Sequence, residues 1–147
     1  MPSTFSLITT SSADVEALFD ISLDIDAHIV SMSQSGERAI DGVTTGRISL
    51  GETVTWRARH FGIWFTMTSK VTALDRPTHF VDEQVKGPFK AFVHKHTYEQ
   101  IPAGSRMTDT ITVASPIFGK FAERLVLVPY LRWLIAKRNT DLVRALN

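Results

Sequence analysis

Two periodicities divide this chain. Between residues 33 and 115 apolar and polar positions alternate, the period of strands whose successive side chains point to opposite faces. Before and after that stretch the apolar spacing is three to four residues, the period of amphipathic helices. The alternation also predicts a first strand over residues 4–10, carrying Phe5 and Leu7. Ser11 follows as an N-cap, with Asp14 as the acid of the first helical turn. Val15, Leu18, Phe19 and Ser22 then fall at helical spacing, and Ile25, Ile29 and Met32 form a second stripe over residues 25–32. Each of these helices is too short to stand without tertiary packing.

The strand region reads as a series of hairpins. A weak strand over residues 34–40 ends at Asp41-Gly42, a turn pair, and residues 46–50 are a short link. Residues 52–60 set Val54, Trp56 and Ala58 against Thr55, Arg57 and Arg59, so the two arginines belong to the solvated side. Gly62 breaks the run, and residues 63–74 continue with Phe65, Met67 and Val71 on one face. Asp75-Arg76-Pro77 makes a turn, because proline fixes one dihedral and cannot donate to a sheet ladder. Two strands then fold about Gly87-Pro88. Phe80, Asp82 and Gln84 share a face of the first, and Phe92, His94, His96 and Tyr98 share a face of the second. After Pro102-Ala103-Gly104, residues 106–115 place Met107, Asp109, Ile111 and Val113 on one side.

From residue 118 the period is helical again. Phe121, Leu125, Val128, Ile135, Leu142 and Leu146 fall near one stripe, and residues 125–135 are apolar nearly all round. Pro129 removes a backbone hydrogen bond there and predicts a kink or break over residues 125–129. Strands joined by short turns give an antiparallel sheet, with one face to cover and one long helix to cover it. The expected architecture is α+β. A curved antiparallel sheet of six or seven strands wraps a long C-terminal helix, with two short helices after the first strand, all in one domain.

Composition narrows the function. The chain has 147 residues, 21% charged and 44% apolar, with a formal charge of +1 and no dense Lys/Arg block. Nucleic acid is a poor partner for such a surface, since phosphate neutralisation needs clustered cations. No cysteine is present, so disulfides, thiolate chemistry and cysteine-type zinc sites are excluded. The apolar run 125–131 is far short of the ~20 residues that span a bilayer, and the N-terminus carries no secretion-signal pattern. A cytoplasmic protein, monomer or homodimer, is expected.

The order of elements, with GPFKAFVHKHTYEQ and MTDTITVASP, resembles the START-like or SRPBCC superfamily, also called the helix-grip fold. That group includes the birch-pollen allergen type, lipid-transfer domains and aromatic polyketide cyclases. The likeness runs over essentially the whole chain. It is carried by Trp56, Ala58 and Gly62, by Phe80, Asp82, Gln84, Gly87, Pro88 and Phe89, by His94, His96 and Tyr98, and by Asp109, Ile111, Val113 and Pro116. Tyr98 stands where Phe is usual, and Val113 where Tyr is usual. The resemblance implies a cavity between sheet and helix. It implies no particular reaction, since small bacterial members are largely without assigned activity.

The chemistry-bearing residues fit a cavity wall. A strand face mixing aromatics with Asp, Gln and two His suits neither a dry core nor open solvent. His94 and His96, two apart on a strand, share a face at ~7 Å. They can pair with carboxylates in a polar patch, contact a ligand or move a proton, or hold a metal with Asp82 or Asp109 as third ligand. Carboxylate pairing is the plainest of these, and neither a metal nor a cofactor is expected. Asp82 with His94 is the candidate acid–base pair of a cyclase or dehydratase. No serine sits in a nucleophile elbow. The expected ligand is a hydrophobic or aromatic small molecule. The candidate contacts are Trp56, Phe65, Met67, Phe80, Asp82, Gln84, Phe92, His94, His96, Tyr98, Asp109, Ile111, Leu125 and Arg132. Lys137 and Arg138, near the helix end, are expected to meet the dipole and solvent.

Overall fold

The computed structural model describes residues 2–115 and 122–146. Within them seven strands form one antiparallel sheet: β1 (Ser3–Ser11), β2 (Arg38–Gly42), β3 (Thr53–His60), β4 (Ile63–Asp75), β5 (His79–Lys86), β6 (Ala91–Ile101) and β7 (Gly104–Ala114). Their spatial order is β1-β7-β6-β5-β4-β3-β2. Every connection after β2 is therefore a hairpin between neighbours, and only β1 is placed across the sheet from its sequence successor. Helices α1 (Val15–Ser22) and α2 (Ile25–Ser31) make that crossing.

Alternation sets which face is buried. Along β7, Met107, Asp109, Ile111 and Val113 are buried while the residues between them are not. The same holds on β6 for Phe92, His94, His96 and Tyr98. Asp14, rather than Ser11, caps α1, its carboxylate accepting from the Ala17 amide at 2.8 Å. Ser11 is still the last residue of β1, where its hydroxyl accepts from Ala13. Asp24 caps α2 in the same way. The expected weak strand over 34–40 is displaced: Ser33–Ser35 is a 3₁₀ turn, closed by Gly36 at φ 64°, and β2 starts at Arg38. A φ of that sign favours glycine, which lacks the Cβ that would clash.

The C-terminal helix α3 (Val128–Leu146) packs on β1 and on α1 and α2. It is preceded by a π-helical turn, Glu123–Leu127. A wider turn just before Pro129 is the local adjustment expected where a proline cannot donate, so the predicted break takes this form. Pro116, Phe118 and Phe121 lie outside the described residues. Among the described residues no helix is long and apolar enough to cross a membrane.

Two apolar clusters flank the concave face. One joins Leu18, Phe19 and Ile25 to Trp56, Phe80, Tyr98 and Met107. The other joins Leu131 and Ile135 of α3 to Phe5, Phe92, Ile111 and Val113. They do not fill the space between sheet and helix.

Candidate functional site

A cavity of about 700 Å³ lies between the sheet and α3, walled mostly by apolar side chains. That is within the usual range for small-molecule sites, roughly 300–1,000 Å³. Trp56, Phe65, Met67 and Phe80 line it from β3, β4 and β5. Phe92, His94 and His96 line it from β6, and Asp82 joins them from β5.

Register explains how the polar wall is bonded. His96 lies directly opposite Phe80 on one side and Asp109 on the other, while His94 lies opposite Asp82 and Ile111. Directly opposed Cβ atoms are only ~5 Å apart, too close for the tip of an imidazole to meet a carboxylate head-on. The hydrogen bonds therefore run diagonally. His94 Nε2 meets Asp109 Oδ1 at 2.6 Å, and His96 Nε2 meets Asp82 Oδ2 at 2.8 Å. The predicted Asp82–His94 pair is corrected accordingly: each imidazole takes the carboxylate one row along. His96 Nδ1 also lies 3.1 Å from Asp109 Oδ1, within ion-pair distance though misdirected for a hydrogen bond.

Helix α3 closes this cluster from above. Asn139 Nδ2 donates to Asp109 Oδ2 at 2.6 Å and to Thr9 at 3.0 Å. Arg138 donates through Nε and Nη2 to Asn139 Oδ1, and Nη2 reaches Asp109 at 3.4 Å. Arg138 Nη1 has no partner among the described residues, and the side chain lines the cavity.

The charge states follow from these bonds. Burial alone would raise Asp109, but the hydrogen bond from His94, with the His96 ring and the Arg138 cation close by, holds its carboxyl well below the ordinary value. Burial would likewise raise Asp82, and His96 outweighs it. Burial would lower His96, yet Asp109 and Asp82 together keep it above its usual value. His94 goes the other way: burial and the neighbouring His96 push it down to about 4, against the pull of Asp109. At neutral pH His94 is an uncharged imidazole whose Nε2–H is held by ionised Asp109. Its Nδ1 is the nitrogen left for a ligand.

Asp82, His94 and His96 each bring one possible metal-ligand atom within 4.8 Å of the others. The two rings stack, however, with centroids 3.8 Å apart and 20° between planes. Their lone pairs run side by side rather than converging on one ion, and the Arg138 cation stands in the same cluster. The arrangement suits imidazole–carboxylate pairing better than chelation.

Neither a protein-family model nor a curated protein matches the chain. Solved structures do match. A protein of Thermus thermophilus is 15% identical with a TM-score of 0.76, over 97% of this chain and 99% of its own. The major latex-like protein of Panax ginseng is 14% identical with a TM-score of 0.73, over 99% and 97%. The Zhui aromatase/cyclase of a Streptomyces species is 12% identical with a TM-score of 0.77, over 99% and 93%. The chain has the helix-grip fold. At these identities the likeness establishes the path of the backbone and leaves the contents of the cavity to this chain's own residues.

Within this helix-grip frame, six of the expected contacts do not line the cavity. Gln84 bonds the backbone of Phe89 through both ends of its amide, at 2.7 and 3.2 Å, and so pins the β5–β6 turn. Asp109 and Ile111 are fully buried one layer behind the wall. Tyr98 packs edge-on against Phe19, ring centroids 5.0 Å apart. Leu125 is 60% exposed. Arg132 turns outward, over the Phe5 ring and onto the Ser6 carbonyl.

Arg138 is the opposite case, expected in solvent and found inside. The signal was in the sequence: Leu131, Leu134, Ile135, Arg138 and Leu142 follow helical spacing, and all five are buried. A cation on the buried stripe of a helix marks a paired internal charge. Four further polar residues, His28, Glu37, His60 and Tyr130, also line the helix-grip cavity. They come from segments far apart in sequence, and no periodicity links them.

Proposed function

We propose that this protein binds a hydrophobic or aromatic small molecule in the sheet–helix cavity, its oxygen-bearing end held at Arg138 and His94. The observation that carries this reading is an apolar hollow of about 700 Å³ with the unpaired Arg138 Nη1 and the open face of His94 on one wall. A hydroxyl placed there accepts from Arg138 and donates to His94 Nδ1. A fluorescent apolar probe such as Nile red tests it. The unmodified protein is expected to bind the probe at one equivalent. Ala58→Phe, at a buried wall position, is expected to lose binding by at least tenfold while the far-ultraviolet dichroism is unchanged. Absence of saturable probe binding to the unmodified protein would sink the reading.

A second reading rests on His94 itself, oriented by Asp109 and uncharged. A group so held can remove a proton beside a carbonyl, as a cyclase or dehydratase requires. With its pKa pushed down to about 4, His94 is a weak base at neutral pH, which is why binding stands first. Turnover of a poly-β-ketone thioester, lost in His94→Gln with Nile red binding retained, would reverse that order.

A further inference from the structure

An arginine on the wall of an apolar cavity ordinarily marks the anchor of a carboxylate, because its planar fork matches two carboxylate oxygens. Arg138 is not free to act so. Its Nε and Nη2 both donate to Asn139 Oδ1, and Nη2 also reaches Asp109 Oδ1 at 3.4 Å. The fork is taken up inside the protein, and Nη1 alone is left.

The second group on this wall offers the opposite chemistry. His94 Nε2 is bonded to Asp109 Oδ1 at 2.6 Å, while Asp109 Oδ2 accepts from Asn139 at 2.6 Å. Asp109 is therefore an acceptor on both oxygens, His94 Nε2 carries the ring proton, and His94 Nδ1 bears a lone pair. His96 Nδ1 and Tyr98 Oη are shut in without a partner, whereas His94 Nδ1 and Arg138 Nη1 are not closed off, and both of these side chains line the cavity. His94 and Arg138 meet the same oxygen, Asp109 Oδ1, so one donor nitrogen and one acceptor nitrogen stand side by side.

Charge works in the same direction. Among the described residues Arg138 is the only lysine or arginine that lines the cavity, and four carboxylates, Asp24, Glu37, Asp82 and Glu123, line it as well. On the wall itself Asp82 and Asp109 stand against His96 and Arg138, with His94 uncharged. The sum is zero with His96 protonated and negative without. A ligand carboxylate brings one more buried anion with no cation left to meet it, and such a burial is costly. We propose that the ligand ends in an uncharged hydroxyl, that of an alcohol or a phenol, and that the site rejects carboxylates. The hydroxyl oxygen accepts from Arg138 Nη1, and its proton is donated to His94 Nδ1. A ketone makes only the first of these bonds, and a carboxylate sets an oxygen against the Nδ1 lone pair. This rests on the cavity reading above and specifies the polar end of what fills it.

Displacement of Nile red by 1-decanol, 2-decanone and decanoate at neutral pH tests this. The unmodified protein is expected to bind the alcohol about fivefold more tightly than the ketone, the worth of one buried hydrogen bond. It is expected to bind the alcohol at least about tenfold more tightly than decanoate, which is ionised at that pH. His94→Phe, which keeps a ring and removes the acceptor, is expected to bring alcohol and ketone level while Nile red still binds. Decanoate binding as tight as that of decanol would overturn the inference and make Arg138 an ordinary carboxylate anchor, with the cavity reading left standing. Equal affinity of the unmodified protein for decanol and 2-decanone would overturn it too, as would an alcohol preference that survives in folded His94→Phe. Failure of Nile red and all three competitors to bind would remove the cavity reading and this inference with it. The ranking is read on the unmodified protein, so it decides even if the variant does not fold.

Discussion

The two polar groups of the cavity are built on opposite plans. Around Asp109 every carboxylate oxygen is taken: His94 and Arg138 hold Oδ1, and Asn139 holds Oδ2. Around Glu37 one oxygen is loosely held by His28, and the other has no hydrogen-bond partner among the described residues. A saturated buried network fixes structure, because removing any member strands the rest. An unsaturated one costs the protein stability. A buried carboxylate thus serves the fold at one pole of the cavity and is only half satisfied at the other.

The largest test of this contrast is Asp109→Asn. It leaves Arg138 and His96 buried without their shared carboxylate. Breaking a buried pair from one side costs about 3–5 kcal/mol. Urea denaturation at neutral pH is expected to show a midpoint shift of that size. A loss below about 1 kcal/mol would mean that the Asp109 network does not hold sheet and helix together.

Titration gives the next largest effect. His94 is held near 4 in the folded chain against 6.5 in the unfolded one. Its folded pKa is depressed, so the unfolded state takes up the proton first, and stability falls as pH drops from about 6.5 to about 4. A difference of that size corresponds to about 3 kcal/mol. Asp82 and Asp109, both lowered, add a further loss below the ordinary carboxylate range. His96 has the opposite sign: its raised pKa gives stability that is full below 6.5 and lost as pH rises through the folded value. Stability is therefore expected to be greatest near neutrality. In His94→Leu the decline between pH 6.5 and 4 should flatten. An unchanged slope would place the acid sensitivity elsewhere.

The same contrast explains what could be read from the sequence. Period two along 80–86, 91–99 and 106–115 placed Asp82, His94, His96 and Asp109 on one concave face, because a strand's facing depends only on neighbours in sequence. The bonds among them were not legible, since whether a histidine meets its opposite or its diagonal neighbour depends on register and ring length. Leu125 was misread because the stripe was continued straight through a segment that the structure winds as a π turn. A wider turn rotates each later position relative to an unbroken helix. Glu37, His28, His60 and Tyr130 gave no local signal. Each is an ordinary polar residue in its own segment, and only the closing of α2, β3 and α3 around one space brings them together.

The smallest expected effect is on the stability of the free protein when Glu37 is replaced. Glu37→Leu removes the 3.3 Å contact to His28, which weakens the fold. It also removes a buried oxygen that has no partner, which strengthens it. A net hydrogen bond and the burial of an unsatisfied group are each worth about 1 kcal/mol with opposite signs here. The midpoint in urea is therefore expected to move by less than about 1 kcal/mol in either direction, against the several expected for Asp109→Asn. A loss as large as that of Asp109→Asn would show that Glu37 is tied into the fold as tightly as Asp109, and the difference between the two poles would vanish. A small shift separates them: one carboxylate holds sheet and helix together, and the other can be removed with little change to the fold.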